Sequence, residues 1–330
     1  MSDLHLFFII FSGCYKLYFC IVAHFKTNPM AVRKLSELFD LLKGNELKTM
    51  VVVCANDEHT ISSVNEAVAT GLVRGILIGD ESLIQSVCVK SGINSKQFKI
   101  INEPVDDLAA GRAVEMINKG EGQILMKGLI STDKFMRAIL NKEKGLVIQG
   151  KILSHVTIVE NENYHKLMFV GDVAVIPLPD LNQKVQIIKY LVEVAKLMGV
   201  DVPKVAVIAP SEQVLPGILS TTEAALLAKM NDRGQIPGCI VDGPLALDVA
   251  LDSEAALIKG LKSPVAGDAD CLLFPNLEAG NVFYKVNTKL ARSESAAVMM
   301  GARVPVVLAS RGDSTKVKLF SIALAAVMAS

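Results

Sequence analysis

The stretch "MKGLISTDKFMR" (126–137) puts Lys127, the hydroxyls of Ser131 and Thr132, and Arg137 into one strand-to-helix passage. A helix starting near Ser131 leaves its first backbone N–H groups without intrahelical partners. Together with hydroxyls and cations, such groups suit a phosphate or a carboxylate. The plainer alternative is a capped helix with a solvated Lys and Arg. A second set, "NLEAGNVFYK" (276–285), offers Asn276, Gly280 and Asn281 before a helix, with Lys285 one turn inside it. A glycine there lets a ligand approach the backbone closely. The third, "VPVVLASRGDS" (304–314), is a β-prone run that ends on Ser310, Arg311 and Asp313. Read as Arg-Gly-Asp it would be an adhesion tripeptide, but a strand end between buried elements would not display one. An anion or a helix cap remains. "VDGPLALD" (241–248) adds Asp242 and Asp248, either a carboxylate pair or a Gly243-Pro244 turn that the first aspartate initiates.

Strand ends and helix starts must hold these residues, and the chain supplies them in alternation. "TMVVVCAND" (49–57), "RGILIGD" (74–80), "FKIINEP" (98–104) and "GQILMKGLI" (122–130) are β-rich runs, each followed by a helical pattern. Asp57 and Asp80 stand where helix N-caps belong. This order predicts an α/β fold, a mostly parallel sheet flanked by helices, with ligands at the carboxyl ends of strands. "LSHVTIVEN" and "LMFVGDVAVIP", separated by the polar "ENYHK", predict a hairpin, and a domain boundary falls near Gly150. Alternation then resumes, with helices predicted at 181–199, at 220–233 and up to Lys259, and strands at 204–210, 238–244 and 268–275. No GxGxxG follows the first strand and no GxxxxGK[ST] occurs, so both common nucleotide fingerprints are absent.

Composition narrows the function classes. Of 330 residues, 51% are apolar and 21% charged, so burial can offset chain entropy, and the length accommodates two domains. Lys plus Arg balance Asp plus Glu at 34 each, which gives no electrostatic argument for nucleic acid or an anionic membrane. The cysteines form no CxxC and the histidines no HxH or HExxH, so no metal site is predicted and buried thiols in a reducing compartment are expected. Residues 4–25, "LHLFFIIFSGCYKLYFCIVAHF", are apolar enough for a membrane or signal segment, but Lys16 interrupts them and no cleavage site follows. From Met30 an amphipathic helix begins, with Leu35, Leu38, Phe39 and Leu42 on one face. The expectation is that Met30 is the natural start and that 1–29 are extraneous. A genuine anchor is the alternative.

"SPVAGDADCLLFPNLEAGNVFYK" (263–285), "DRGQIPGCIVDGPLALDVAL" (232–251) and "ARVPVVLASRGDSTKVKLFSIALA" (302–325) resemble the phosphate acetyl/butyryltransferase family, on the side of its butyryl branch. "ILMKGLISTDKFMRAIL" and "LSHVTIVE" fit that branch too. The resemblance implies a fold like that of isocitrate and isopropylmalate dehydrogenases, with two α/β domains around a cleft. Residues 30–150 plus about 301–330 would form the first, and 151–300 the second, its hairpin near a dimer contact. The implied reaction is reversible: butyryl-CoA and phosphate give butyryl phosphate and CoA by direct attack in a ternary complex. CoA thioester and phosphate are the expected partners, with no tightly bound cofactor, in a cytoplasmic homodimer or higher homo-oligomer.

The resemblance also implies roles. Ser310 would hydrogen-bond the reacting centre, Arg311 would hold phosphate and the developing charge, and Arg137 would be a second phosphate clamp. Asn281 and Lys285 would line the site, and Lys127, Ser131 and Thr132 are expected to bind phosphate or CoA. The acetyl branch carries its proposed base, an aspartate, six residues beyond the serine, where this chain has Lys316. Asp313, the nearest acid, is either the substitute or the N-cap of the last helix. Three alternatives stand beside the butyryl reading. One is transfer from acetyl-CoA. Another is a nicotinamide-dependent decarboxylating dehydrogenase, for which the "VDGP" region offers too few acids in series. The third is a non-catalytic regulator on the same fold.

Overall fold

Apolar runs without a polar face belong in a sheet covered on both sides, and the first strands meet that condition. The computed structural model describes residues 31–308 and 312–329. The readings made on residues 4–25 and on Met30, and those on Ser310 and Arg311, lie outside the described residues. A short helix, α1 (Leu38–Leu42), continues a 3₁₀ turn at Leu35–Glu37, burying Leu35, Leu38 and Leu42 as their spacing predicts. Then β1 (Lys48–Val53), α2 (Glu58–Ala69), β2 (Val73–Gly79), α3 (Glu81–Lys90), β3 (Lys99–Asn102), α4 (Asp106–Asn118), β4 (Ile124–Lys127) and α5 (Thr132–Ile139) alternate. The Asp57 carboxylate accepts from the Thr60 N–H and that of Asp80 from the Leu83 N–H, so both are the predicted caps.

The hairpin is present: β5 (Ser154–Glu160) pairs antiparallel with β6 (Met168–Gly171). It is followed by α6 (Leu181–Leu197), β7 (Lys204–Ile208), α7 (Leu219–Asp232) and β8 (Ile240–Leu245). The helix predicted to reach Lys259 is instead two pieces, α8 (Leu247–Leu251) and α9 (Ser253–Ile258). Asp252 breaks it by taking an extended conformation and capping α9 with its carboxylate. After β9 (Cys271–Leu273) and α10 (Leu277–Lys285) comes β10 (Glu294–Met300), a strand the pattern does not reveal. Its sequence, "ESAAVMM", is rich in helix formers and becomes a strand only through its neighbours. Within 304–308 the ladder covers two residues, β11 (Val306–Val307), and Pro305 before them has no N–H to give it. The last helix is α11 (Thr315–Met328).

Among the described residues eleven strands form one sheet in the order β3-β2-β1-β4-β11-β10-β5-β6-β9-β7-β8. The flanks β3 to β11 and β6 to β8 are parallel, and the antiparallel strands β10 and β5 join them. One flank is built from residues 48–127 with 306–307, the other strands from 154–300. After β11 the chain returns to its beginning: α11 packs on α1 and α2, where Phe320 stacks on Phe39 at 5.6 Å. Along β5, Val156 and Ile158 face one apolar core and Val159 another, so His155 and Thr157 share the face opposite Val156. Among the described residues no helix is long and apolar enough to cross a membrane.

Candidate active site

A cavity of about 580 Å³ opens where the first parallel flank meets the antiparallel centre. Six residues singled out in the sequence line it: Lys127, Ser131, Thr132, Asn281, Lys285 and Asp313. Lys127 ends β4 and is only 6% exposed; its Nζ donates to the Gly128 carbonyl at 3.4 Å. Gly128 permits this turn because a Cβ there would lie 2.5 Å from the Cys54 carbonyl oxygen. Ser131 is the N-cap of α5, its Oγ accepting from the Lys134 N–H at 3.3 Å, and Thr132 is the first helical residue. The helix is thus capped as the plainer alternative holds, yet its positive end still opens on the cavity.

Two elements of the second set have structural duties. Asn276 caps α10, its Oδ1 accepting from the Ala279 N–H at 3.0 Å. The helix therefore begins earlier than predicted, and Lys285 is its last residue. Gly280 makes room for protein backbone and not for a ligand: a Cβ would sit 2.5 Å from the Asp172 carbonyl oxygen. Asn281 Nδ2 donates to the Val173 carbonyl at 2.9 Å, which ties α10 to the segment after β6. Asp172 anchors that segment from the other side. Its Oδ2 accepts from Ser154 Oγ at 2.8 Å and the His155 N–H at 3.2 Å; its Oδ1 accepts from the Ala174 and Val175 N–H groups at 2.7 and 2.9 Å. Lys285 extends over the Tyr284 ring, Nζ 4.9 Å from its centroid.

Asp313 lines the cavity and does not cap the last helix, a duty taken by Ser314, whose Oγ accepts from the Val317 N–H at 3.2 Å. Lys316, at the position of the acetyl branch's aspartate, turns outward to Glu294 at 2.7 Å. Arg137 is not brought to the cleft. Its side chain is 68% exposed, pairs with Asp133 and lines a separate cavity between α4 and α5. Asp242 and Asp248 form no carboxylate pair: Asp242 accepts from the Gly243 N–H at 2.8 Å, and Asp248 pairs with Lys259 at 3.0 Å. Leu308 and Asp313, which bracket Ser310 and Arg311 in the chain, both line the cavity.

The residues that the sequence reading missed are His155, Tyr284 and Ser321. The signal for His155 was available in "LSHVTIVE", where His and Thr stand at period two between apolar residues. Burial pushes His155 below its ordinary range; Asp172 and Asp313 pull it up, and Lys285 adds to the fall. Burial also raises Tyr284, aided by the charge of Asp313. At the end of β1, Cys54 is pushed up to about 12 by burial and then by Asp106, against the opposing charges of Lys134 and Lys127. A thiol held there is no nucleophile at neutral pH.

The family described as "Phosphate acetyl/butaryl transferase" matches residues 98–326, which include every lining residue of this cavity. The chain belongs to this family. The phosphate butyryltransferase of Clostridium acetobutylicum is 44% identical over 298 residues, covering 90% of this chain and 99% of that protein. The phosphate acetyltransferase of Thermotoga maritima is 43% identical over 296 residues, covering 89% and 99%. Among solved structures, a branched-chain phosphotransacylase from Enterococcus faecalis V583 superposes with a TM-score of 0.76 at 29% identity, covering 85% of this chain and 99% of that one. As a member of the phosphate acetyl/butyryl transferase family the chain is an acyltransferase, and its substrates are a CoA thioester and phosphate.

Proposed function

We propose that the cleft catalyses reversible transfer of a butyryl group between CoA and phosphate, by direct attack within a ternary complex. The observation that carries this is the lining of the cavity, which combines cations and a helix start with apolar side chains. Two anions must be held together against their repulsion, and Lys127, Lys285 and the N-terminus of α5 are the groups suited to it. Ile130, Val173, Leu277, Leu308 and Val317 supply a wall for an acyl chain. Burial of two further methylenes is worth about 1.6 kcal/mol, so a four-carbon chain gains about 15-fold over a two-carbon chain. Ser310 and Arg311 complete the reading as family-implied donors, one to the tetrahedral oxyanion and the other to phosphate. One such donor contributes roughly 3–4 kcal/mol.

The protonated Cys54 favours direct attack over an acyl-enzyme at that thiol. In the same reading the protein is a cytoplasmic homo-oligomer, and residues 30–150 with about 301–330 form one domain and 151–300 the other. The near-equal likeness to a phosphate acetyltransferase makes acetyl-CoA the second reading. Both are tested by phosphate-dependent release of CoA thiol, comparing butyryl-CoA with acetyl-CoA. Release that needs phosphate, with kcat/KM about 15-fold higher for butyryl-CoA, is the expected result. A preference for acetyl-CoA moves the chain to the acetyl branch. No release from folded protein with either thioester overturns the reading.

A further inference from the structure

We propose that His155 is the proton carrier of this reaction, accepting the thiol proton of CoA at Nε2 and delivering it to the departing phosphate. The inference rests on the acyl-transfer reading above and assigns the base that the family pattern leaves open here, where Lys316 replaces an acid and turns away from the cleft.

The position of the ring comes from the fold. His155 is only 5% exposed and lines the cavity beside Lys127, Tyr284, Lys285 and Asp313. Its backbone is pinned by the Asp172 carboxylate, and its place in the β5 ladder, opposite Met299 of β10, prevents a change of face. Nδ1 lies 3.1 Å from Thr157 Oγ1, the next residue on the same face. Thr157 thus engages Nδ1, and the ring belongs to the lining of the cavity. In the proposed tautomer Nδ1–H donates to Thr157 Oγ1, which leaves the Nε2 lone pair facing substrate.

The chemistry balances. In the direction that makes the thioester, Nε2 takes the S–H proton, the thiolate adds to the carbonyl carbon of the acyl phosphate, and the C–O bond to phosphate breaks. The imidazolium then returns its proton to the leaving phosphate, which departs as hydrogen phosphate. In the opposite direction the same nitrogen takes a proton from hydrogen phosphate and gives it to the CoA thiolate. An ordinary imidazole is closer in basicity to a thiol than a carboxylate is, and the lowering of His155 by burial gives back part of that advantage. Burial holds the ring in its neutral, proton-accepting form. Among the described residues the charged and titratable groups around it are Asp172, Asp313, Lys285, Lys127 and Tyr284, and the two carboxylates favour the imidazolium once it forms. Because its pKa is lowered, the base form persists above it and is lost as pH falls through it, below about 6.5.

The test uses the full chain, with butyryl phosphate and CoA as substrates, and records kcat and KM across about pH 5 to pH 9. His155→Gln should lower kcat by about 10²–10⁴-fold, leave KM for CoA within about threefold, and abolish the acid limb of the wild-type profile. If His155→Gln keeps wild-type kcat, or retains the acid limb while Asp313→Asn loses it, the proton belongs elsewhere and the proposal falls. Should His155→Gln fail to fold, Thr157→Val decides. A loss of about tenfold in kcat with a displaced acid limb supports the carrier, and an unchanged profile overturns it. Wild-type protein that turns over neither butyryl nor acetyl phosphate overturns the acyl-transfer reading and this proposal together. Normal wild-type turnover with an indifferent His155→Gln overturns this proposal alone.

Discussion

Lys127 and Arg137 stand ten positions apart on either side of the same loop and helix, yet their surroundings differ sharply. Lys127 is buried in the lining of the cavity, whereas Arg137 is largely in water beside Asp133. A buried cation facing an anion is worth more than an exposed ion pair, whose net contribution is about 0–1 kcal/mol. Lys127→Met keeps the bulk and removes the charge. It should raise KM for phosphate about 10- to 100-fold, the 1.5–3 kcal/mol of a hydrogen bond to a charged group. Arg137→Ala should leave that KM within about twofold. Both are read from initial rates at varied phosphate. Cys54, held protonated near neutral pH, predicts that Cys54→Ser retains turnover within about threefold. An abolished kcat in a folded Cys54→Ser protein would argue for an acyl-enzyme at that position.

The start of α10 touches the segment after β6 more closely than any side chain would allow. Gly280→Ala must displace one from the other by the full misfit against the Asp172 carbonyl. It should cost about 1–3 kcal/mol in urea denaturation and lower kcat as well, since Asn281, Tyr284 and Lys285 ride on the same helix. Farther along the sheet, a charge network joins the hairpin to β7 and β9. Asp268 contacts Lys166 at 2.7 Å, Lys204 at 2.7 Å and His165 at 2.9 Å, and Lys166 also reaches Asp270 at 2.8 Å. Burial opposes ionisation of Asp268, but the hydrogen bonds from Lys166, Lys204 and His165 outweigh it and hold the carboxyl well below the usual range. A depressed carboxyl contributes stability that is present above its unfolded value, about 3.9, and is lost as pH falls through the folded one. Asp268→Asn should therefore be less stable than wild type at pH 7, with the difference narrowing below about pH 4 in urea midpoints measured against pH.

The last helix packs on elements from both ends of the described chain. Leu319, Phe320, Ile322 and Leu324 of α11 are buried against α1, α2 and β10, which come from both ends of the described chain. Burial of four large apolar side chains is worth about 6–12 kcal/mol, comparable with the entire stability of a typical domain. A chain ending at Ser314 should show no cooperative thermal transition by circular dichroism. A folded truncated protein would mean that the first flank of the sheet stands without its helix.

Much of this organisation was legible in the sequence because it is local. The Asp57 and Asp80 caps, the alternation of strands with helices, and the β5–β6 hairpin each follow from side-chain period and cap chemistry within a dozen residues. The helix start at Ser131 was also local, since a hydroxyl residue there caps the helix that follows. Tertiary structure alone decided three things. It made a strand of the helix-prone "ESAAVMM" by placing it between β11 and β5. It separated Arg137 from Lys127, because α5 turns that side chain toward α4 and away from the cleft. And it brought His155, 158 positions earlier in the chain, to the same cavity as Asp313, through a sheet in which β5 and β11 lie on opposite sides of β10. Periodicity records which face of an element is buried; which other element covers it depends on strand order, and that is set by contacts between distant segments.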